Sequence, residues 1–188
     1  NEKNYCLDHS PDPGKIQRDI YEYINTHDKI VGLCAAGITF QDITFSDKQF
    51  FGCNFMNCTF KNIHSKNLTS KLSIFDFAVF SDCKLIDSNI KNSSLAGATF
   101  FHTIFTGSEL FQTNFNGINA FQSSFDDSNL KSSTFIKSTP ENTSFRNCNI
   151  KNTNFLESKR TNVSFKMSND KEAIIVLTEE EIKNQKNS

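Results

Sequence analysis

The sequence predicts an all-β solenoid, a chain wound into a four-cornered coil of short strands, and three observations lead there. Positions divisible by five from Phe40 to Phe165 number 26, and 21 of them hold Phe, Leu or Ile, including 15 of the 20 Phe in the chain. That period fits neither ordinary element: five residues of α-helix turn the chain by roughly 500°, and five residues of flat strand reverse the side chain's face each time. Finally, the position two before each centre is nearly always small, as in Cys53, Cys58, Ala78, Cys83, Ser88, Ala98, Thr103, Ser108, Thr113, Ser128, Cys148 and Thr153. A chain that turns a corner every five residues keeps both sets inside, one large and one small side chain per side. Close packing penalises voids and excess alike, and at Ile118 and Ala120 the order reverses as though the volume of that side were held constant.

The N-terminal segment, residues 1–35, carries a capping helix. Asp12 before Pro13 is a helix start, and Ile16, Ile20, Tyr23 and Ile24 share one face of a helix running to about Thr26. Such a helix covers the open first coil, whose unpaired backbone otherwise invites edge-to-edge association. Gly14-Lys15 lacks the upstream Gly of a phosphate loop and reads as part of that helix start.

Residues 36–168 form the coil itself. Four sides of five residues stack positions 20 apart into internal columns, one of them Phe40, Phe60, Phe80, Phe100, Ala120, Pro140 and Arg160, another Phe55, Phe75, Leu95, Phe115, Phe135 and Phe155. About 6.5 coils at roughly 4.8 Å give a rod on the order of 30 Å long. Flanking Asn, Asp, Ser and Thr bond local backbone at turns. The register is weakest from Lys61 to Ile74, where Ser65 and Ser70 stand at centres and a bulge or loop would interrupt the coil. In residues 169–188, Ala173 to Leu177 reads as a short strand, and Thr178 with Glu181 as a capping box for a brief helix before a polar tail.

Stretches such as Asn54-Phe55, Ser128-Asn129-Leu130-Lys131-Ser132 and Cys148-Asn149-Ile150-Lys151-Asn152 resemble the pentapeptide-repeat proteins, whose consensus is A(D/N)LXX. The resemblance covers residues 38 to 166 and implies a right-handed quadrilateral β-helix, here with Phe preferred to Leu at the centre.

Composition agrees with one elongated domain: 188 residues, 22% charged, seven Gly, three Pro and no apolar run of bilayer-spanning length. Cys53, Cys58, Cys83 and Cys148 fall in the small inward slot on four different sides and read as buried thiols, leaving Cys6 and Cys34 as the one candidate bridge. Buried thiols favour a reducing, cytoplasmic setting, but the chain begins at Asn1 without Met, so a trimmed export signal keeps secreted and periplasmic locations open.

Nothing in the sequence builds a catalytic constellation. His9, His27, His64 and His102 lack metal-ligand spacing, and there is no nucleophile elbow or dinucleotide fingerprint. Cys53 and Cys58 are spaced by the repeat and not for zinc. Asn57, Asn67, Asn92, Asn142 and Asn162 open glycosylation-like triplets as by-products of the same register. The expectation is a protein without catalytic residues, metal or cofactor.

Function must then lie outside. The residue after each centre points outward, and one side reads Phe51, Lys71, Lys91, Phe111, Lys131 and Lys151, a solvated basic face or a strip for an acidic partner. Phe101 with Phe121, and Ile136 with Leu156, fall on adjacent coils as exposed apolar pairs. These ten residues are the candidate protein-contact surface, and the expected function is a non-catalytic scaffold that binds another protein, in a bacterial secreted or envelope setting. The C-terminal segment is a candidate for joining two rods as a homodimer.

The family resemblance implies an alternative, a duplex mimic that modulates DNA gyrase or topoisomerase IV and protects them from quinolones. Residues 36 to 168 contain 13 Lys or Arg and 10 Asp or Glu, a net of +3, whereas a duplex mimic needs dense negative charge along its length. The same balance is too weak to argue direct nucleic-acid binding.

Overall fold

The computed structural model describes residues 12–176. It is a parallel β-solenoid of four sides capped by one helix, and every ladder contact in it joins residues about one 20-residue coil apart. One side stacks Lys29–Val31, Gln49–Phe51, Thr69–Lys71 and Asn89–Lys91, then continues through single bridges at Glu109, Asn129 and Asn149. The second side, bridged at Cys34, Asn54, Ile74, Ser94, Asn114, Thr134, Asn154 and Ile174, contains no longer strand. The third stacks Thr39–Gln41, Thr59–Lys61, Val79–Ser81, Thr99–Phe101, Asn119–Phe121 and Thr139–Glu141. His64–Lys66 and Lys84–Ile86 begin the fourth, which bridges carry on to Ser164.

The corners explain both the period and the composition. All 28 residues lying two after a centre, from Gly32 to Met167, have positive φ, 22 of them non-glycine. That left-handed region is cheap only for Gly and tolerable for Asn and Asp, which is why those three types fill most corners. A corner every fifth residue is what allows the centres to face one axis.

That axis is filled by aromatic stacks. Phe125 and Phe145 lie 4.9 Å apart and nearly parallel at 2°, while Phe125 meets Phe135 of the column across the tube edge-on at 90°. Stacking within columns and edge contacts between them are both favourable arrangements of the ring quadrupole. Phe80, Phe100, Phe115 and Phe135 are buried, as the period requires.

The small slot does more than fill volume. The Ser108 amide donates to the Ser128 hydroxyl at 3.0 Å, and that hydroxyl donates to the Phe105 carbonyl at 2.8 Å. Ser88 with Ser108 and Thr113 with Ser133 repeat the first of these contacts. Cys58, Cys83 and Cys148 direct their thiols at the equivalent carbonyls of Ala35, Phe60 and Phe125. All four thiols expected to be buried are buried and unbridged.

No bulge forms between Lys61 and Ile74. Ser65 pairs with Leu85, and Ser70 with Phe50 and Ile90, in unbroken register. Ile63 and Leu68 stand in the small slot there and are buried, so the large and small positions have exchanged, as they have at Ile118 and Ala120. Total side volume is conserved and the coil does not need to open.

Each end is closed differently. The helix Pro13–Thr26 starts on Asp12, whose carboxylate accepts from the Lys15 amide at 2.9 Å. Ile24 is buried and Ile16, Ile20 and Tyr21 pack on the first coil. Tyr21, not Tyr23, makes the aromatic cap: it stacks on Phe40 at 5.3 Å and its hydroxyl donates to the Thr39 carbonyl at 2.7 Å, whereas Tyr23 faces outward against His27. The ladder starts before residue 36, at Lys29–Val31, because Ile30 already takes a centre. At the far end Ile174 pairs with Asn154, so this part of the expected strand is a further rung of the coil. Arg160, buried at a centre, reaches across the opening to the Val176 carbonyl at 2.6 Å. Cys6, Leu177 and the capping box at Thr178 and Glu181 lie outside the described residues, and with Cys6 goes any pairing to the exposed Cys34.

Candidate protein-contact surface

With the interior filled by side chains, chemistry is left to four outer faces. The structure divides the expected contact residues among three of them. Phe51, Lys71, Lys91, Phe111, Lys131 and Lys151 do form one file, with Lys71 and Lys91 directly paired. Phe101 and Phe121 are also directly paired, but on the opposite face, while Ile136 and Leu156 occupy the side between. These residues therefore make three small surfaces, on the separate sides that their register gives them.

The basic file is partly neutralised. Lys91 pairs with Glu109 at 3.1 Å and Lys151 with Glu172 at 2.8 Å, the latter raising the lysine pKa and lowering that of the carboxyl through their hydrogen bond. Lys71 and Lys131 enter no ion pair among the described residues. At one end of the file the Lys29 ammonium sits 5.6 Å from the centroid of the Phe51 ring, a cation–π contact that partly covers that aromatic. Phe51, Phe111 and Phe121 are half-buried and Phe101 is exposed.

A more prominent apolar feature lies at two corners that the outward-facing residues do not include. Leu72 and Phe77 are 70% and 61% exposed, with φ of 55° and 60°, and Ile74 projects between them. Bulky side chains in the left-handed region cost about 1 to 3 kcal/mol each, so both corners are strained as well as solvent-facing. The Phe77 ring lies against Gly97, where a Cβ would come within 2.6 Å of it. Leu72 and Ile74 open onto a shallow groove of about 650 Å³ that passes Asn92 and Ser94 to Gln112 and Ser132. The sequence did hold a signal for this site: Leu72 and Phe77 occupy corners that elsewhere read mostly Asn, Asp or Gly.

Other chemistry is sparse. No cluster of His, Cys, Asp or Glu suited to a metal occurs among the described residues, and no helix there is long and apolar enough to cross a membrane. Burial pushes the thiols of Cys58 and Cys148 up to about 12 and that of Cys83 to about 11, which keeps them protonated and poor nucleophiles.

Residues 78–117 and 123–157 match the family model for pentapeptide repeats, in eight copies. Among solved structures, a trypsin-treated variant of QnrB1, a plasmid-mediated fluoroquinolone resistance protein, is 16% identical over 71% of this chain and 92% of its own, with a TM-score of 0.44. A pentapeptide repeat protein of the Arabidopsis thaliana thylakoid lumen is 23% identical over 61% of this chain and 65% of its own, with a TM-score of 0.39. Rfr23 of the cyanobacterium Cyanothece 51142 is 12% identical over 86% of this chain and 99% of its own, with a TM-score of 0.28. No curated protein matches the chain in sequence. The repeat match, together with the 20-residue parallel coil, makes residues 78–117 and 123–157 of this chain a run of pentapeptide repeats.

Proposed function

We propose that this protein is a non-catalytic scaffold that binds another protein along the outer faces of its rod. The observation that carries the reading is the filled interior: stacked Phe columns occupy the axis, so recognition is left to flat surfaces bearing exposed apolar groups such as the paired Phe101 and Phe121. Apolar side chains gathered on a regular face are the usual mark of a protein contact. Crosslinking of the full chain in its native cell extract tests this. A partner captured by the wild type and lost with Phe101→Asp or Phe121→Asp supports the reading, and indifference to both substitutions refutes that surface.

Modulation of a type II topoisomerase is the weaker alternative, because the file of Lys71, Lys91, Lys131 and Lys151 presents positive charge where a duplex mimic requires negative. Gyrase supercoiling is expected to be unchanged by the protein, with or without a quinolone. End-to-end pairing through the last rung belongs to the same proposal, and Ile174 and Val176, exposed at the last rung among the described residues, support it.

A further inference from the structure

From the strained corners and the groove beside them, we infer that the strip from Leu72 to Ser132 docks an extended acidic segment of a partner protein, anchored by an apolar side chain. The inference rests on the scaffold reading and names a different surface for it, together with the chemistry of the occupant.

Geometry sets the shape of that occupant. The groove follows one corner across the coils of Leu72, Asn92, Gln112 and Ser132, which is three spacings or about 14 Å. That suits a few residues of extended chain. A strip of that length along one corner is too small to bury the roughly 800 Å² per partner of a stable folded interface, which argues against a second copy seated face to face.

The chemistry changes along the strip. Its first end is apolar, with Leu72 and Ile74 projecting, and Phe77 is exposed at the next corner. Its floor is uncharged, formed by Asn92, Ser94 and Gln112, where an Asn92 Nδ2 to Gln112 Oε1 bond of 3.3 Å already shows amide donors and acceptors in line. Along its rim run Lys71, Lys91 and Lys131, and the first and last of these have no ion-pair partner among the described residues. A ligand matching all three parts carries an apolar anchor followed within a few residues by carboxylates. Placing Leu72 at a corner whose backbone favours Asn or Gly strains the fold, whereas a docking anchor there needs projection and rigidity.

The test pans a random dodecapeptide library on the immobilised full chain and titrates enriched peptides by fluorescence anisotropy. Enriched sequences are expected to combine Asp or Glu clusters with Leu, Ile or Phe. Their Kd should rise at least tenfold with Leu72→Asn/Ile74→Ser and with Lys71→Glu/Lys131→Glu, and binding should weaken with salt. Asn is the ordinary corner residue, so Leu72→Asn alone should leave the melting temperature unchanged or higher, which separates lost binding from lost folding. No enrichment, enrichment without acidic bias, or indifference to both double variants overturns the inference. So does binding of the chain's own peptide 177–188 with the same variant sensitivity, or concentration-dependent dimers in light scattering that Leu72→Asn abolishes. If crosslinked partners depend on Phe101 and not on Leu72, the strip falls and the scaffold reading stands. If strip peptides bind while Phe101→Asp and Phe121→Asp leave protein capture unchanged, the strip stands and the Phe101 face falls.

Discussion

The Ser108 amide and the Ser128 hydroxyl, one coil apart, are joined by a hydrogen bond of 3.0 Å that satisfies a backbone donor buried at a corner. A buried amide left without a partner costs about 1 to 3 kcal/mol. Ser128→Ala is therefore expected to lower unfolding free energy by that amount in urea titrations. Ser158, in the same small slot, is the internal control, because its buried hydroxyl has no partner among the described residues, so Ser158→Ala should be neutral or stabilising. Equal losses at both sites would show that the slot is selected for size alone.

Phe125 stacks between Phe105 and Phe145 at 5.1 and 4.9 Å, and Phe135 meets it edge-on. Truncation there removes contacts in three directions inside a tube that has little freedom to collapse. Phe125→Ala is expected to cost about 3 to 5 kcal/mol, measured by chemical denaturation, whereas Phe101→Ala on the surface should cost far less.

Gly97 and Phe77 form a dependent pair. Alanine at position 97 meets the Phe77 ring at 2.6 Å and also accepts a φ of +65°. Gly97→Ala is expected to destabilise, and Phe77→Asn in the same chain to recover part of the loss, with a coupling of about 0.5 to 3 kcal/mol in a double-mutant cycle. Strict additivity would mean that the ring does not rest on that glycine.

His102 sits between Asp82 and Gln122 in a corner file, 3.1 Å from the carboxylate and 2.8 Å from the amide oxygen. The hydrogen bond with Asp82, then that with Gln122, raise the His102 pKa above 6.5, and the hydrogen bond from His102 lowers that of Asp82 below 3.8. Stabilisation from the protonated ring is thus complete below its unfolded value near pH 6.5 and is lost as pH rises through the raised folded value. The Asp82 contribution is present above about pH 4 and is lost as pH falls through the lowered folded value. NMR titration of His102 should give a pKa above the ordinary range that Asp82→Asn brings back down. No change with Asp82→Asn would dismiss the pair.

The described cysteines should divide by exposure. Cys34 is expected to alkylate rapidly in the native protein, while Cys53, Cys58, Cys83 and Cys148 react only on unfolding, because they are buried and their thiols stay protonated. Mass spectrometry after brief iodoacetamide treatment distinguishes the two groups.

By itself the sequence determined the coil, because a five-residue alternation of Phe and small residues can be buried only by a chain that turns a corner at the same interval. It determined the buried thiols and the helical cap for the same reason, since apolar spacing states which side chains leave water. Tertiary structure decided the rest. Ile63 and Leu68 replace Ser65 and Ser70 as the filling groups only because facing positions share one volume, and Tyr21 rather than Tyr23 caps the coil because the Phe40 ring and Thr39 carbonyl lie beneath it. Folding also left Phe101 exposed and its stacked neighbour Phe121 half-buried. It brought Leu72 and Ile74 together beside one groove as well, for corner geometry dictates direction while linear order records only spacing.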